Sequence, residues 1–220
     1  MLTLALVRHG ETVGNSSIRY HGRTDVELSA LGRRQMHAAQ SWLNIHLGGS
    51  RRGPVVASPL RRAAEGASII AGGATPIIEI EEFVEVDFGR FEGLTAAEIE
   101  ASYPADFARW NRDRLDPGYT YPAGESRREF ALRVERGIQR MLELIDRPAP
   151  AAQSTRTTST PDEAAIVVAH RGVIRIIANR LAGVTPQIEL GSIQILQRDD
   201  AAGSWHAHDL DIVDHLAGIE

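Results

Sequence analysis

Two apolar runs in this chain stop in the same abrupt way, and few architectures can use both. Leu4-Ala5-Leu6-Val7 ends at Arg8-His9-Gly10, and the run from Ala164 through Ala169 ends at His170-Arg171-Gly172. A short, continuous apolar run bounded by polar residues reads as a strand buried on both faces, as in a parallel sheet covered by helices. Sheets of that kind bind their ligands beyond the carboxyl ends of the strands. An arginine and a histidine delivered there suit a phosphate, because a guanidinium forks onto phosphate oxygens and an imidazole can attack phosphorus.

The segments between these runs alternate between strand and helix patterns. Leu2 to Val7 is read as a strand and Ser29 to about Leu47 as a helix. Pro54 to Ala57 is a strand, Pro59 to Ala71 a helix closed by Gly72-Gly73, and Ile77 to Ile80 a third strand. Thr95 with Glu98, and Ser126 with Glu129, stand at capping-box spacing. The first box opens a helix to Tyr103. Behind the second, Phe130, Val134, Ile138, Met141 and Ile145 recur at helical spacing. Ala164 to Val168 is a strand, about Gly172 to Leu181 a helix, and Ser192 to Gln197 with Trp205 to Leu210 a closing hairpin. The expected fold class is α/β, a three-layer α/β/α sandwich with a mainly parallel sheet. Pro148 to Asp162 is low in complexity and is read as a flexible, exposed loop within a single domain spanning 1–220.

Composition narrows the function classes. A net charge of −5 with no basic stripe argues against nucleic acid, and no apolar stretch approaches the length of a membrane span. The chain has no cysteine, which removes disulfides, a thiolate nucleophile and thiolate zinc sites. Met1 to Val7 reads as a strand and not as a signal peptide, so a cytoplasmic setting is expected.

Four segments put reactive groups at strand ends or helix starts. In Arg8-His9-Gly10, the glycine permits a sharp turn and the following amides can face an anion, with Asn15 near enough to add a donor. In Ser58-Pro59-Leu60-Arg61-Arg62-Ala63, a helix start and an arginine can meet the same phosphate. The acid-rich block from Phe83 to Gly93 surrounds Glu85 with aromatics, a setting expected of a carboxyl that delivers a proton. His170 can donate to the same phosphate. Each segment alone also has a plain structural reading. Their co-occurrence at matching positions is what carries weight.

In order, LVRHGET, GRTDVELSALG, SPLRRA, EVDFGRFEGLT, PAGES and VAHRGVIR resemble the blocks of the histidine phosphatase superfamily, from about Leu4 to Ala182. More narrowly they are similar to its phosphoglycerate mutase-like branch of small bacterial phosphatases, such as the α-ribazole and broad-specificity types. The resemblance implies a phosphoglycerate mutase-like fold and a metal-independent phosphatase that hydrolyses a small phosphomonoester. His9 would become a phosphohistidine, with one ring nitrogen held as a donor by a backbone carbonyl. Glu85 would be the proton donor, and His170 would be catalytic as well as phosphate-binding. Arg8, Arg62, His170 and Asn15 would bind phosphate, no metal or other cofactor being required. Arg61 falls at a variable position of its block and is expected at the surface.

Two departures from the family pattern stand out. Arg171 follows the second histidine where relatives often have a small residue. It either projects outward or adds charge near the pocket and favours a substrate with a second acidic group. Phe91 stands where tryptophan is common. Tyr20, His21, Arg23, Arg171 and Trp110 are candidates for substrate specificity, and Tyr103, Arg109, Tyr119 and Tyr121 lie in segments that can cap the pocket. The shape of the acidic block and the chain length favour a phosphatase over a cofactor-dependent phosphoglycerate mutase. An inactive phospho-ligand-binding relative would be expected to lack His9 or Glu85. The expected partner is a small phosphorylated metabolite, with no membrane and no nucleic acid, and a homodimer is compatible with the sequence. The leaving group is not encoded in any of the motifs.

Overall fold

The structure is a computed structural model that describes residues 1–14, 18–48, 51–73, 75–146, 163–199 and 203–219. The reading of 148–162 as a loop, and the tip of the closing hairpin at 200–202, lie outside the described residues. Six strands make one sheet: β1 (Leu2–Arg8), β2 (Arg51–Ala57), β3 (Ile77–Glu79), β4 (Glu163–Ala169), β5 (Ile193–Arg198) and β6 (Trp205–Ile212). Their order is β3-β2-β4-β1-β5-β6. The first four in that order run parallel, and β5 and β6 add two antiparallel pairings. The carboxyl ends of β1, β2 and β4 therefore open side by side on one edge.

Side-chain alternation explains why β1 is apolar throughout. Leu4 and Leu6 enter one core, with the apolar face of α5 (Arg127–Ile145) and with Val173, Ile174 and Ile177 of α6 (Arg171–Ala182). Ala5 and Val7 enter the other, with α1 (Ala30–Leu47) and α2 (Arg61–Ala71). The result is the expected α/β/α sandwich. A strand facing two helical layers has no solvated face on which to place polar residues.

Local capping sets the helix starts. Ser29 accepts from the Gly32 amide at 3.0 Å, and both capping boxes form, at the heads of α3 (Ala96–Ser102) and α5. A further helix, α4 (Pro104–Asp113), has no counterpart among the sequence expectations. Tyr103 closes α3 and opens α4, and Pro104 takes a first-turn position where its missing N–H costs no hydrogen bond. The helix buries none of its residues fully, but Phe107 and Trp110, three apart, pack against the core from one face, a spacing the sequence reading passed over. Strand β2 begins at Arg51, ahead of the expected Pro54, and a register shift between Arg52 and Val55 accommodates the proline. Helix α2 begins at Arg61, later than the expected Pro59. Among the described residues no helix is long and apolar enough to cross a membrane.

Candidate active site

The sheet brings three reactive segments to one level. The His9 amide donates to Ala169 O and the Ser58 amide to Val168 O, at 3.0 and 3.1 Å, so β1, β2 and β4 are still paired where the side chains diverge. The rings of His9 and His170 lie 5.1 Å apart, edge to face at 64°.

His9 is buried, and its Nδ1 lies 2.7 Å from Gly10 O. A carbonyl can only accept, so Nδ1 carries the hydrogen and Nε2 presents a lone pair. The Nε of Arg62 donates to that Nε2 at 3.3 Å. Burial, then the charges of Arg62 and Arg8, hold the imidazole pKa well below its ordinary value. His9 is therefore neutral near pH 7, the form a nucleophile needs.

His170 is also buried and also held neutral, by burial and then by Arg62, His9 and Arg8. Its Nε2 is 2.8 Å from Ser58 Oγ, and Ser58 Oγ also accepts from the Leu60 amide at 3.4 Å. Ser58 Oγ could accept from both, but its own hydrogen would then have no acceptor among the described residues, so we assign the hydroxyl as donor to Nε2. The hydrogen of His170 then sits on Nδ1, a buried atom with no protein partner. A buried donor without a partner is costly unless a ligand accepts from it.

Arg62 is wholly buried and fixed by backbone carbonyls: Thr24 O at 2.8 Å, Gly22 O at 2.7 Å and His21 O at 3.1 Å. The segment that carries those carbonyls is itself held by Glu92. Its carboxylate accepts from the amides of Gly22, Arg23, Thr24 and Phe88 and from the Thr24 hydroxyl. Arg8 donates to Ile188 O at 2.9 Å, and its Nε is buried without a partner. Burial, then the nearby charge of Arg171, pulls the Arg8 pKa down to about 10. Arg171 reaches the same carbonyl with its Nε at 3.1 Å.

Glu85 completes the site. Its carboxylate accepts from the Gly172 and Val86 amides, each at 3.0 Å. A Cβ on Gly172 would collide with Glu85 and with the Phe130 ring, so only glycine lets the head of α6 approach the carboxylate. Arg133 braces the segment behind, donating to Glu82 O and Val84 O and pairing with Glu125 at 2.8 Å.

A cavity of about 280 Å³ opens onto Arg8, His9, Glu85, Tyr20, His21 and Arg171. Arg171 thus lines the pocket rather than projecting away from it. Trp110 lines an adjoining cavity and packs edge-on to Tyr20, ring centroids 5.8 Å apart. The Arg23 side chain is exposed and lines neither cavity, because it is the backbone amide of Arg23 that binds Glu92. Tyr121 lines the adjoining cavity. Tyr119 is a core residue, Arg109 stacks over it at 5.6 Å, and Tyr103 packs on the same core. Asn15 lies outside the described residues. Arg61 is exposed and pairs with Glu27 at 3.2 Å.

Three backbone contacts bear on these readings. At the α2 start the Arg61 amide is committed, donating to Asp25 at 2.8 Å. The Glu11 amide beyond Gly10 does not face an anion and instead donates to Gln35 at 2.8 Å. At Gly10 a Cβ would strike the backbone of Gly32, so glycine is needed there for close approach. Sequence reasoning missed the roles of Ser58 and Glu92, although both residues stand inside motifs it singled out. Among the described residues no group of three or more His, Asp or Glu side chains is arranged to hold a metal ion.

Comparison with known proteins bears on this geometry. A family model described as the histidine phosphatase superfamily (branch 1) matches residues 4–208. A bifunctional protein of Mycobacterium tuberculosis is 38% identical over 143 residues, covering 63% of this chain but only 37% of that protein's length. A glucosyl-3-phosphoglycerate phosphatase of Mycolicibacterium vanbaalenii is 30% identical over 184 residues, 82% of this chain and 74% of that protein. The crystal structure of an α-ribazole phosphatase from Shigella flexneri matches with a TM-score of 0.77 at 23% identity, covering 99% of each chain, which is a likeness of fold.

Proposed function

This chain belongs to the histidine phosphatase superfamily, branch 1, and on that premise we propose that it hydrolyses a small phosphomonoester through a phosphohistidine on His9, with no metal. The observation that carries the reading is the state of His9. Its Nδ1 is committed to Gly10 O, its ring is kept neutral, and its Nε2 lone pair faces a cluster of cationic and donor groups.

His9 Nε2 attacks phosphorus in line, and the P–O bond to the leaving alcohol breaks. Arg62, Arg8 and the Nδ1–H of His170 bind the non-bridging oxygens as charge shifts onto them. The Nε–H of Arg62 that donates to His9 in the free enzyme turns to a phosphoryl oxygen once Nε2 is bonded to phosphorus. Glu85, in its acid form, protonates the leaving alkoxide. As carboxylate it then takes a proton from a water that attacks the phosphohistidine, and inorganic phosphate is released with His9 restored. Hydrolysis without a thiolate or disulfide fits a cysteine-free protein working in the cytoplasm.

The test is a panel of phosphomonoesters, each assayed with and without a chelator. Release of phosphate that is indifferent to the chelator supports the proposal; activity abolished by chelation overturns it. The same panel includes 3-phosphoglycerate with a bisphosphoglycerate primer. Transfer to the 2-position in large excess over hydrolysis would make the protein a mutase instead.

A further inference from the structure

The cavity that holds His9 shares Tyr20, Glu85, Phe88 and Arg171 with a second cavity of about 610 Å³, which does not reach His9. Glu85 stands in both walls. An alcohol that departs from phosphorus at His9 and takes its proton from Glu85 can therefore extend into the second cavity. Whatever lines that space reads the leaving group.

Its body is apolar. Phe88 meets Tyr121 edge to face at 5.0 Å and Tyr20 at 5.3 Å, and Trp110 and Phe130 extend the wall. At its margin Leu115 and Leu132 are 81% and 47% exposed, although large aliphatic side chains gain by being covered. A volume of this size holds a multi-ring or drug-sized group rather than a glycerol.

Its charge is all of one sign apart from Glu85. Arg127 on α5 and Arg171 and Arg175 on α6 line it, and among the described residues none of them lies within 4.0 Å of a carboxylate. Outside the cavity, Arg133, Arg140 and Arg180 of the same helices pair with Glu125, Glu82 and Glu135, whereas Arg136 meets only the Leu132 carbonyl at 3.2 Å among the described residues. What sets Arg127, Arg171 and Arg175 apart is that they line one cavity together. The pKa of Arg175 is lowered by burial and then by the charges of Arg171 and Arg127, so these groups repel one another as they stand. An anion between them would relieve that repulsion and gain charge-assisted hydrogen bonds.

We infer that the leaving alcohol is an apolar or aromatic body bearing a second anionic group, which Arg175 binds together with Arg127 and Arg171. This rests on the phosphatase reading above. The test uses the full chain and two matched esters, 2-naphthyl phosphate and the same ester with a carboxylate on the distal ring. The carboxylated ester is expected to be preferred in kcat/KM by about tenfold or more, through KM. Arg127→Gln combined with Arg175→Gln brings that ratio close to one, and the corresponding pair of lysine substitutions keeps most of it.

A wild-type ratio of one or less, or a ratio untouched by the glutamine pair, overturns the inference while leaving hydrolysis at His9 intact. A preference for 3-phosphoglycerate over the carboxylated naphthyl ester overturns its apolar half. Failure to release phosphate from any of these esters would overturn the phosphatase reading, and the inference with it.

Discussion

The two cavities that meet at Glu85 are built from different parts of the chain and to different standards of constraint. The inner one is made of strand ends and the first residues beyond them. Arg62 is tied to three carbonyls, His9 to one, His170 to Ser58, and each of these partners is itself held. The outer one is made of outward faces of α4, α5 and α6 and the segment that follows α4. Among the described residues its arginines have no carboxylate within 4.0 Å, and its leucines are exposed. Chemistry at phosphorus needs groups fixed to a fraction of an ångström, and only a paired sheet edge supplies that. Discrimination between alcohols needs only a complementary surface, which helix faces provide without disturbing the core.

Substitutions should separate the two regions sharply. The largest effect is expected from His9→Ala, which removes the nucleophile and should lower kcat by about 10⁴-fold or more on every ester, measured by phosphate release. Glu85→Gln comes next and belongs to both cavities. Alkyl phosphates should lose about 10² to 10⁴-fold in kcat. The loss should shrink markedly for p-nitrophenyl phosphate, whose leaving group departs without a proton. Equal losses on both would break the assignment of Glu85 as proton donor.

Ser58→Ala and Trp110→Ala make the sharpest contrast. Ser58 is fully buried and acts on the inner pocket only through His170, whose Nε2 it holds. Its loss should cost about tenfold in kcat/KM by the same factor for all esters. Trp110 touches only the outer one, so its loss should raise KM by a few-fold, about 1 kcal/mol, for aromatic esters alone. If the two variants showed the same substrate dependence, the division into regions would be wrong.

Much of the inner pocket is legible in the amino-acid sequence, and for a physical reason. An apolar run cut short by Arg-His-Gly is a local signal, as is a capping box, and both survive as written. Arg61 and Arg62 show where local signals end. They are neighbours of one type, yet one is 60% exposed at its side chain and the other wholly buried, and only the motif resemblance chooses between them. The parts of Ser58 and Glu92 are not legible, because their contacts span 112 and about 70 residues and their types read equally well as a cap and a surface acid. The outer cavity is less legible still. Its walls come from three helices and the segments between them, and an arginine without a carboxylate beside it is a fact about what surrounds it.

A smaller effect is expected from pH. Burial and the neighbouring arginines depress the pKa of both His9 and His170. At saturating substrate, kcat should therefore change little between pH 6.5 and 5.5, where an ordinary histidine, titrating near about 6.5, would lose most of its neutral form. Stability responds in the same range. Above about pH 6.5 both rings are neutral in either state. Below it the unfolded chain takes up protons on them that the folded chain refuses, so stability falls as pH falls. Urea unfolding midpoints at pH 7.5 and 5.5 measure that difference. The smallest effect is expected from Arg61→Ala, which removes an exposed ion pair outside both cavities. It should change stability by less than about 0.5 kcal/mol and leave kcat/KM as it is.

The central claim is that His9, and no other group, carries the phosphoryl between the two halves of the reaction. Rapid quenching during turnover of a phosphomonoester, at alkaline pH where phosphohistidine persists, followed by mass spectrometry of the peptides, tests it directly. The account predicts an acid-labile phosphoryl group on Nε2 of His9 that forms and decays with turnover, and that in Glu85→Gln, with an ester whose leaving group needs no proton, persists longer because the water is no longer activated. Steady phosphate release with no phosphoenzyme, or a phosphoryl group found on His170 instead, would contradict it.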